Sequence, residues 1–460
     1  MVRQLRAGKY QRVMLTHITR LFCLGLFLAM ANPLVAQEPL TLEDAVVTAL
    51  NNSFQKQIAE EDLFIAQNNN DWGTAGRYPT VTAGVNTQNG FTNSVNPANV
   101  VLPEFSQLSS AGAGNIDANW VLFNGGRVKT TKRQLELLEQ RSEIGVNRVV
   151  EQVVSQVSQA YYLVLIQGEQ LDVLEEILSL SADRIEYQEV RQEFGQAGSF
   201  DLLQAQDALL VDSTNFIRQM NAYNNAVRNL NIAMGVEDIN KDYNYQTPLE
   251  FAPSNYDLAA LQQQLLGNNK DLQDLQMARE LALVNTELQR ASWFPSVSLN
   301  TGVSYNASVT YINAINPFTM EEFGTNPGSN FNYYLNLGVN YTLYNGGVRK
   351  RNVENAQVQE LQTQYRIEDL RRTLRGQVEN QLVAYNEQQA LLELTNAQIE
   401  TARQNMALAE ERFKGGLISS FDYRSVQLSY INASQARLNN YYNMKLAEIS
   451  LLQVVGALVQ

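Results

Sequence analysis

The chain carries one long pattern twice. The segment Asn-Trp-Val-Leu-Phe-Asn-Gly-Gly at 119–126 returns as Asn-Tyr-Thr-Leu-Tyr-Asn-Gly-Gly at 340–347, a shift of 221 residues. The pattern Arg-x-x-x-Gly-x-x-x-Ser-Phe-Asp begins at Arg191 and again, with the same shift, at Arg412. A constant shift means that the residues between the two motifs match in number as well as in kind. The sequence is therefore one structural unit, duplicated.

The duplication extends upstream with a different spacing. Tyr-Pro-Thr-Val-Thr at 78–82 matches Phe-Pro-Ser-Val-Ser at 294–298, a shift of 216 residues. The second copy thus has five extra residues between Pro295 and Asn340, in a segment rich in Gly, Asn and Pro. We expect these residues to lengthen a surface loop, where insertions are tolerated best.

Residues 1–37 have the features of a secretory signal peptide. Five basic residues precede an apolar core at 21–31, and Leu34-Val35-Ala36 forms a cleavage site before Gln37. The apolar run is too short to cross a bilayer as a helix. The residues before Cys23 form a poor lipobox, so we do not expect a lipoprotein. The segment is predicted to be removed.

The residues left after cleavage exclude several kinds of chemistry. The only cysteine, Cys23, and the only histidine, His17, lie in the signal segment. Thiolate and imidazole metal sites, disulfides and histidine acid/base catalysis are therefore excluded, and no cofactor or metal is expected. With 47 acidic against 34 basic residues, the chain is also a poor candidate for binding nucleic acid. Catalysis by carboxylates alone stays open, although no paired-carboxylate cleft is visible.

Two long segments without proline predict long helices. Neither 127–235 nor 348–460 contains proline, which costs about 3 kcal/mol inside a helix. Apolar residues recur there at spacings of three and four. Helices over 127–194 and 348–413 would each be about 100 Å long. Shorter helical stretches at 40–71, 200–233, 257–292 and 421–455 flank them, and two placed end to end would match one long rod. The predicted packing resembles that of a coiled coil.

The segments before each Asn-Gly-Gly motif alternate with period two, which indicates strands. Four strands are predicted, at about 78–88, 114–124, 294–306 and 331–345. Apolar and polar residues alternate with interfacial aromatics, as in a transmembrane β-barrel, although a soluble two-sided sheet would alternate similarly. Membrane barrels need at least eight strands, because an open edge in lipid leaves backbone groups unpaired. Strands that span a membrane would therefore have to be pooled by several chains.

The order of these elements resembles the TolC family of outer-membrane efflux proteins. Each repeat has a helix, a strand pair, Leu-Phe/Tyr-Asn-Gly-Gly, a long helix, Arg-x-x-x-Gly-x-x-x-Ser-Phe-Asp and a final helix. The resemblance covers nearly all of the mature chain. It implies a membrane α+β fold in which three chains share a twelve-stranded β-barrel, continuous with a long α-helical tunnel. The barrel would lie in the outer membrane and the tunnel in the periplasm.

The resemblance also assigns roles to the turns that follow the long helices. It implies that they meet a periplasmic membrane-fusion adaptor, through Arg191, Gly195, Ser199, Arg412, Gly416, Leu417 and Ser420. Asp201 and Asp422 match acidic positions near a gate, where three copies would form a cation-attracting ring. A purely structural role also explains these residues, with glycines ending one helix and Ser199 and Ser420 capping the next.

The chain departs from the family pattern at the gate. Phe413 and Ile418 stand where that pattern has a tyrosine and an arginine, and Ser425 replaces a second aspartate. A salt-bridge lock between chains therefore lacks its usual residues, and a looser or apolar closure is the alternative. The strand-to-helix junctions at Gly125, Gly126, Gly346 and Gly347 are expected to be structural, because glycine adopts the backbone angles that such a junction needs.

These patterns divide the chain into a signal peptide at 1–37, a first repeat at 38–235, a linker at 236–255 and a second repeat at 256–460. The resemblance implies a non-enzymatic outer-membrane channel of a tripartite efflux or type I secretion system. Substrates would leave passively through a gated duct after delivery by an inner-membrane pump and the adaptor. The alternative is a periplasmic coiled-coil scaffold or adhesin without a channel.

Overall fold

A computed structural model describes residues 38–99, 101, 104–249 and 254–459. The predicted signal peptide and residues 250–253 of the predicted linker lie outside the described residues. The chain forms two compact units. The helical unit comprises the described residues up to Asn52 together with those of Gln156–Pro253 and Leu392–Tyr442; the sheet-bearing unit comprises those of Ser53–Ser155, Ser254–Leu391 and Asn443–Gln460. Each unit contains parts of both sequence repeats.

The helices and strands follow the same order in the two halves of the chain. The first half contains β1 (Pro39–Leu40), α1 (Leu42–Asn52), α2 (Phe54–Asn69), β2 (Thr80–Val95), β3 (Glu104–Asn124), α3 (Arg127–Glu193), α4 (Ser199–Met234) and β4 (Asn244–Tyr245). The second half contains α5 (Leu258–Asn268), α6 (Lys270–Ala291), β5 (Ser296–Ile315), β6 (Glu322–Asn340), α7 (Val348–Lys414) and α8 (Ser420–Val455). Both long helices, α3 and α7, have 67 residues, and both returning helices have 36. Within the described residues, every helix falls short of the length and apolar character needed to cross a membrane.

The first helical stretch of each repeat is broken in two, contrary to the single helices expected at 40–71 and 257–292. The breaks fall at Ser53 and Asn269, whose ψ angles of 112° and 121° are extended. The Ser53 hydroxyl accepts from the Lys56 N–H, and the Asn269 side chain accepts from the Leu272 N–H. Each side chain therefore starts a new helix by capping it.

Both breaks coincide with the end of a returning helix. The Asn52 side-chain amide donates to the carbonyl of Met234, at the end of α4, and the Asn269 amide donates to that of Val454 in α8. The glycine that follows each returning helix lies close to the break. A Cβ added to Gly235 would lie 2.8 Å from the Cβ of Asn52, and one added to Gly456 would lie 2.6 Å from the carbonyl oxygen of Asn268. The asparagine side chains at the breaks thus supply hydrogen-bond donors to carbonyls at helix ends, which have no partner within their own helix.

The sheet-bearing unit holds a four-stranded antiparallel sheet in the order β2-β3-β5-β6. Strands β2 and β6 form its two edges. One face carries exposed apolar side chains such as Val85, Leu337 and Val339. The other face carries polar residues. There Gly302 lies between Asp117 and Tyr334 on neighbouring strands, and the Tyr334 hydroxyl donates to the Asp117 carboxylate at 2.7 Å over this glycine, which has no side chain. This contact explains why a large aromatic residue, Tyr334, occupies a position of β6 where the alternation otherwise has a small or polar residue.

Most of the five extra residues of the second repeat lengthen one strand, β5, rather than the surface loop expected from the sequence. Strand β2 has 16 residues and β5 has 20. Strand β3 begins at Glu104 after β2 ends at Val95, whereas β6 begins at Glu322 after β5 ends at Ile315. The added residues of β5 continue the pairing with β6, up to Ile315 opposite Glu322.

Each unit has its own apolar core. In the helical unit the cluster includes Leu174, Ile177, Met406, Phe413, Tyr423 and Tyr430. In the sheet-bearing unit it includes Leu261, Leu265, Leu272, Leu374, Val378, Leu451 and Val455. The cluster of the helical unit joins residues of α3, α7 and α8, so it packs these three helices together in the region of the candidate site.

Candidate functional site

Two helical corners contain most of the residues singled out by the sequence. The first corner joins α3 to α4, and the second joins α7 to α8; the corner residues all lie in the helical unit. Gly195 and Gly416 both have φ of 70°, in the left-handed region. The N–H of the residue after each glycine donates to the carbonyl of Arg191 or Arg412 at 2.8 Å. The two corners therefore end their long helices by the same glycine-dependent turn.

The helix that follows each corner starts differently from the prediction. Ser199 and Ser420 are the first helical residues, so neither is the cap. In the second corner the Ser419 hydroxyl accepts from the Asp422 N–H at 3.1 Å and donates to the Asp422 carboxylate at 2.7 Å. In the first corner Gly198 occupies the cap, and its N–H donates to the Asp201 carboxylate at 3.2 Å. Both aspartates stabilise a helix start, where negative charge is favourable.

The two arginines of the corners have different surroundings. The Arg191 guanidinium donates to the Gln196 carbonyl at 3.2 Å and lies 5.7 Å from the centre of the Tyr187 ring. The Arg412 side chain is exposed, and its guanidinium forms no hydrogen bond or ion pair within the described part of the chain. The first arginine thus braces its own corner, while the second is available to another molecule.

A groove between α7 and α8 brings three of the predicted residues together. Arg412, Ile418 and Asp422 line this groove, which has a volume of about 520 Å³. Ser425, which stands where the family pattern has a second aspartate, lines it too. Asp201 is half-buried in the first corner and takes no part in the groove.

Phe413 lies inside the helical unit. It is 3% exposed, stacks on Tyr423 at 4.8 Å with an interplanar angle of 4°, and contacts Tyr187 at 4.9 Å. The Tyr187 hydroxyl donates to the last carbonyls of α7, on Phe413 and Lys414. Burial raises the pKa of Tyr423 to about 12, with the Glu410 carboxylate adding to the shift. This aromatic cluster ties α3, α7 and α8 together next to the second corner.

The sequence prediction missed a buried ion pair beside these aromatics. Asp212 of α4 is 2% exposed and accepts two hydrogen bonds from Arg424 of α8, at 2.6 and 2.8 Å. The Ser181 hydroxyl donates to the same carboxylate at 2.6 Å. Arg184 is also 2% exposed, and its burial lowers the pKa of its guanidinium. The only hint in the sequence is an aspartate directly after Leu209-Leu210-Val211.

Large apolar side chains are exposed at the corners, and of these the sequence prediction named only Leu417. Phe194 and Phe200 are each 75% exposed in the first corner, and Leu417 and Phe421 are 77% and 66% exposed in the second. Large apolar side chains that are exposed together make the corners a candidate contact surface. In the described part of the chain, no group of three or more His, Cys, Asp or Glu side chains could hold a metal ion.

The duplicated arrangement of strand pair, long helix and corner matches a known family over nearly the whole chain. The sequence pattern described as "Outer membrane efflux protein" matches residues 45–236 and 261–457, one stretch for each repeat. The chain belongs to the outer membrane efflux protein family. Membership makes it an outer-membrane efflux channel and favours this function over a coiled-coil scaffold or adhesin.

Relatives of this efflux protein align with most of its length but share little of its sequence. The toluene efflux pump outer membrane protein TtgC and the antibiotic efflux pump outer membrane protein ArpC, both of Pseudomonas putida, are each 21% identical over 416 residues, which covers 90% of this chain and 82% of theirs. Among solved structures, the Campylobacter jejuni CmeC outer membrane channel has a TM-score of 0.73 at 17% identity, with 90% and 85% of the two chains covered. The Vibrio cholerae outer membrane protein VceC has a TM-score of 0.70 at 15% identity, with 90% and 96% covered. These structures share the fold.

Proposed function

We propose that three copies of this chain form one passive, gated exit duct, in which three four-stranded sheets close into a twelve-stranded barrel. The observation that carries this proposal is the pair of open edges, β2 and β6, on a sheet with an exposed apolar face. In lipid, each unpaired backbone group on such an edge costs several kcal/mol. Joining β6 of one copy to β2 of the next removes every edge and keeps the strands antiparallel.

The duplication gives the register of this joint. Within the chain, Ala118 of β3 pairs with Thr301 of β5. The repeat counterparts of these residues are Val339 of β6 and Val85 of β2. If the junction between copies repeats the junction within the chain, Val339 lies opposite Val85 of the neighbouring copy. Both side chains are apolar and exposed, as residues on a lipid-facing surface should be.

The proposed partners are a periplasmic adaptor and an inner-membrane transporter. The corners supply exposed apolar side chains, and the second corner adds the groove with Arg412 and Asp422. A helical hairpin of the adaptor could insert apolar residues there and pair a carboxylate with Arg412. The chain itself would supply no chemistry, because the transporter would provide the energy.

The proposed gate lies at the corners. Around a threefold axis, Asp422 and Asp201 would each form a ring of three carboxylates that attracts cations. Ile418 is half-buried beside Asp422 and offers an apolar contact for closure. Phe413 would act on the gate from within, by holding the end of α7 against Tyr423 and Tyr187.

Cysteine cross-linking tests the trimer and its register. The only natural cysteine precedes the predicted cleavage site, so introduced cysteines would be the only thiols in the mature chain. The double variant Val85→Cys/Val339→Cys should form disulfide-linked dimers and trimers in outer membranes, visible on non-reducing gels, because facing Cα atoms in a sheet are about 4.5–5.5 Å apart.

The matched control is Val85→Cys/Leu335→Cys, in which the second thiol is four residues out of register, or about 13 Å away. It should cross-link poorly. Efficient cross-linking of this control but not of the first pair would contradict the register. A monomeric, water-soluble protein that forms no conductive pores in planar bilayers would contradict the duct itself.

A further inference from the structure

All three tryptophans of the chain lie where the sheet meets the helices. Trp72 follows α2, Trp120 lies near the end of β3, and Trp293 lies between α6 and β5. Trp120 and Trp293 are 40% and 48% exposed. Tryptophan prefers the boundary between the apolar and polar zones of a bilayer, which marks this end of the sheet as an interface.

An arginine is held between aromatic rings at this boundary. The Arg349 guanidinium carbon lies 5.7 Å from the centre of the Trp293 ring and 5.6 Å from that of Tyr341. Tyr341 follows Leu337 and Val339 in the alternation that marks the apolar face of β6. Arg349 also donates to the Thr342 carbonyl. The cation is therefore positioned at the end of the apolar face.

The first repeat has a comparable arrangement. The Arg77 guanidinium carbon lies 4.9 Å from the centre of the Trp72 ring, and the Trp120 indole N–H donates to the Arg77 carbonyl at 2.7 Å. Trp120 and Tyr341 are repeat counterparts, and so are Arg77 and Trp293. Each repeat thus has an arginine beside aromatic rings where the sheet meets the helices. The arginine precedes the first strand of the sheet, β2, in one repeat and lies at the start of the long helix in the other.

The two arginines stand without an acidic partner in the part of the chain that the structure describes. Within the described residues, no carboxylate forms an ion pair with Arg77 or Arg349, although the chain as a whole carries a net charge of −13. Exposed apolar side chains adjoin both sites, among them Tyr78, Leu122, Phe294 and Leu343. The sites therefore combine an apolar surface with an uncompensated, positioned guanidinium, a group that matches the geometry of phosphate.

We propose that Arg77 and Arg349 bind the phosphate groups of anionic phospholipids in the periplasm-facing leaflet. The inference rests on the proposed barrel, since it requires the sheet to stand in the membrane with the helices on its periplasmic side. Acyl chains would cover the apolar face, and the aromatic rings would hold each guanidinium at the depth of the headgroups. The bound lipids would fix the depth of the channel in the membrane.

Tryptophan quenching by brominated lipids tests this proposal, because every tryptophan reports on the two sites. The full-length mature channel would be reconstituted into phosphatidylcholine vesicles that contain brominated phosphatidylglycerol or, at equal mole fraction, brominated phosphatidylcholine. We expect the association constant for phosphatidylglycerol to be about fivefold higher than that for phosphatidylcholine. This ratio corresponds to the attraction of one basic residue to an anionic membrane surface. The double variant Arg77→Gln/Arg349→Gln should bring the ratio close to one.

The matched control is Arg372→Gln, which removes an exposed cation later in α7. It should leave the lipid preference unchanged. Equal quenching by the two lipids in the unmodified channel, or an unchanged preference in the double variant, would overturn the proposal while leaving the duct intact. Absence of quenching by either lipid would overturn the membrane placement of the sheet as well, and with it the proposed function.

Discussion

The two corners share a backbone but differ in what they do with their charges. Both end a 67-residue helix at a glycine with φ of 70° and start a 36-residue helix with an acidic first turn. In the first corner Arg191 folds back onto Tyr187 and the Gln196 carbonyl. In the second corner Arg412 and Asp422 stay exposed along a groove. The turn is therefore the same in the two corners, while the arginine is braced in the first corner and exposed in the second.

The largest expected effect tests whether the corners depend on each other. The buried Asp212–Arg424 pair joins α4, which follows the first corner, to α8, which follows the second. Arg424→Leu leaves a buried carboxylate without its partner and should lower the free energy of unfolding by about 3–5 kcal/mol. Denaturant titration of the channel in detergent measures this change.

The double variant Asp212→Leu/Arg424→Leu is the control for the cost of the unpaired charge. It should be more stable than Arg424→Leu alone, because the double change removes both charges and leaves no unpaired carboxylate. Arg412→Leu, which removes an exposed arginine, should change stability by less than about 0.5 kcal/mol. Equal losses for Arg424→Leu and Arg412→Leu would show that the buried pair does not couple the corners.

Alanine substitution of glycines tests whether the two turns are equivalent. Gly195→Ala and Gly416→Ala should each cost about 1–2 kcal/mol from backbone strain alone, since an added Cβ would meet no atom within 4 Å at either position. Gly456→Ala should cost about 3 kcal/mol, because its Cβ would also lie 2.6 Å from the Asn268 carbonyl oxygen.

Gly376→Ala, in the interior of α7, provides a control of opposite sign and should stabilise by about 0.5–1 kcal/mol. The same denaturant titration ranks all four variants. A large difference between Gly195→Ala and Gly416→Ala would mean that the corners are not equivalent even in their backbone.

Serine-to-alanine substitutions test whether α4 and α8 begin with different hydrogen bonds. Ser419→Ala removes the hydroxyl that caps α8 and should cost about 1 kcal/mol. Ser199→Ala in the first corner should cost only a few tenths, since it removes one exposed hydrogen bond from Gln192. Thermal unfolding of both variants under identical detergent conditions provides the measurement. A larger loss for Ser199→Ala would restore the capping role that the sequence suggested.

The smallest expected effect concerns ion selectivity, and it compares the contributions of the acidic residues of the two corners. Asp422→Asn keeps an oxygen that can accept the capping hydrogen bond but removes three exposed charges from a trimer. In planar bilayers it should lower the cation-to-anion permeability ratio on the order of twofold, and Asp201→Asn, at a half-buried position, should lower it less. Glu411→Gln, an exposed change outside the groove, should leave the ratio unaltered. An unchanged ratio in both aspartate variants would remove the acidic ring from the proposed gate.

Much of the fold was predictable because it depends on local patterns. The long proline-free segments predicted α3 and α7 to within one residue at each end, and period-two alternation identified the four strands of the antiparallel sheet but not the short β1 and β4. The strand lengths were underestimated, because the ends contain Gly, Asn and Ser residues that resemble loops but pair across the sheet. Glycines within the two motifs marked the corners and junctions, where Gly125, Gly126, Gly346 and Gly347 all have positive φ.

The candidate site was only partly predictable, since its contacts join residues far apart in sequence. Sequence reasoning placed Arg412, Ile418 and Asp422 at one turn, and the structure adds that they share a groove. It gave no indication that Phe413 would be buried against Tyr423 and Tyr187, or that Asp212 would meet Arg424. Local sequence specifies how a turn is built; it does not specify which distant side chain will fill the space beside it.

The sequence by itself determined the duplication, the four strands and the two long helices, because periodicity and the absence of proline act over neighbouring residues. Only the tertiary structure decided where α1 and α5 end. There the Asn52 and Asn269 amides meet the last carbonyls of helices that return some 180 residues later. It also decided which corner arginine is braced and which is exposed, since that choice depends on packing between helices rather than on the motif that both corners share.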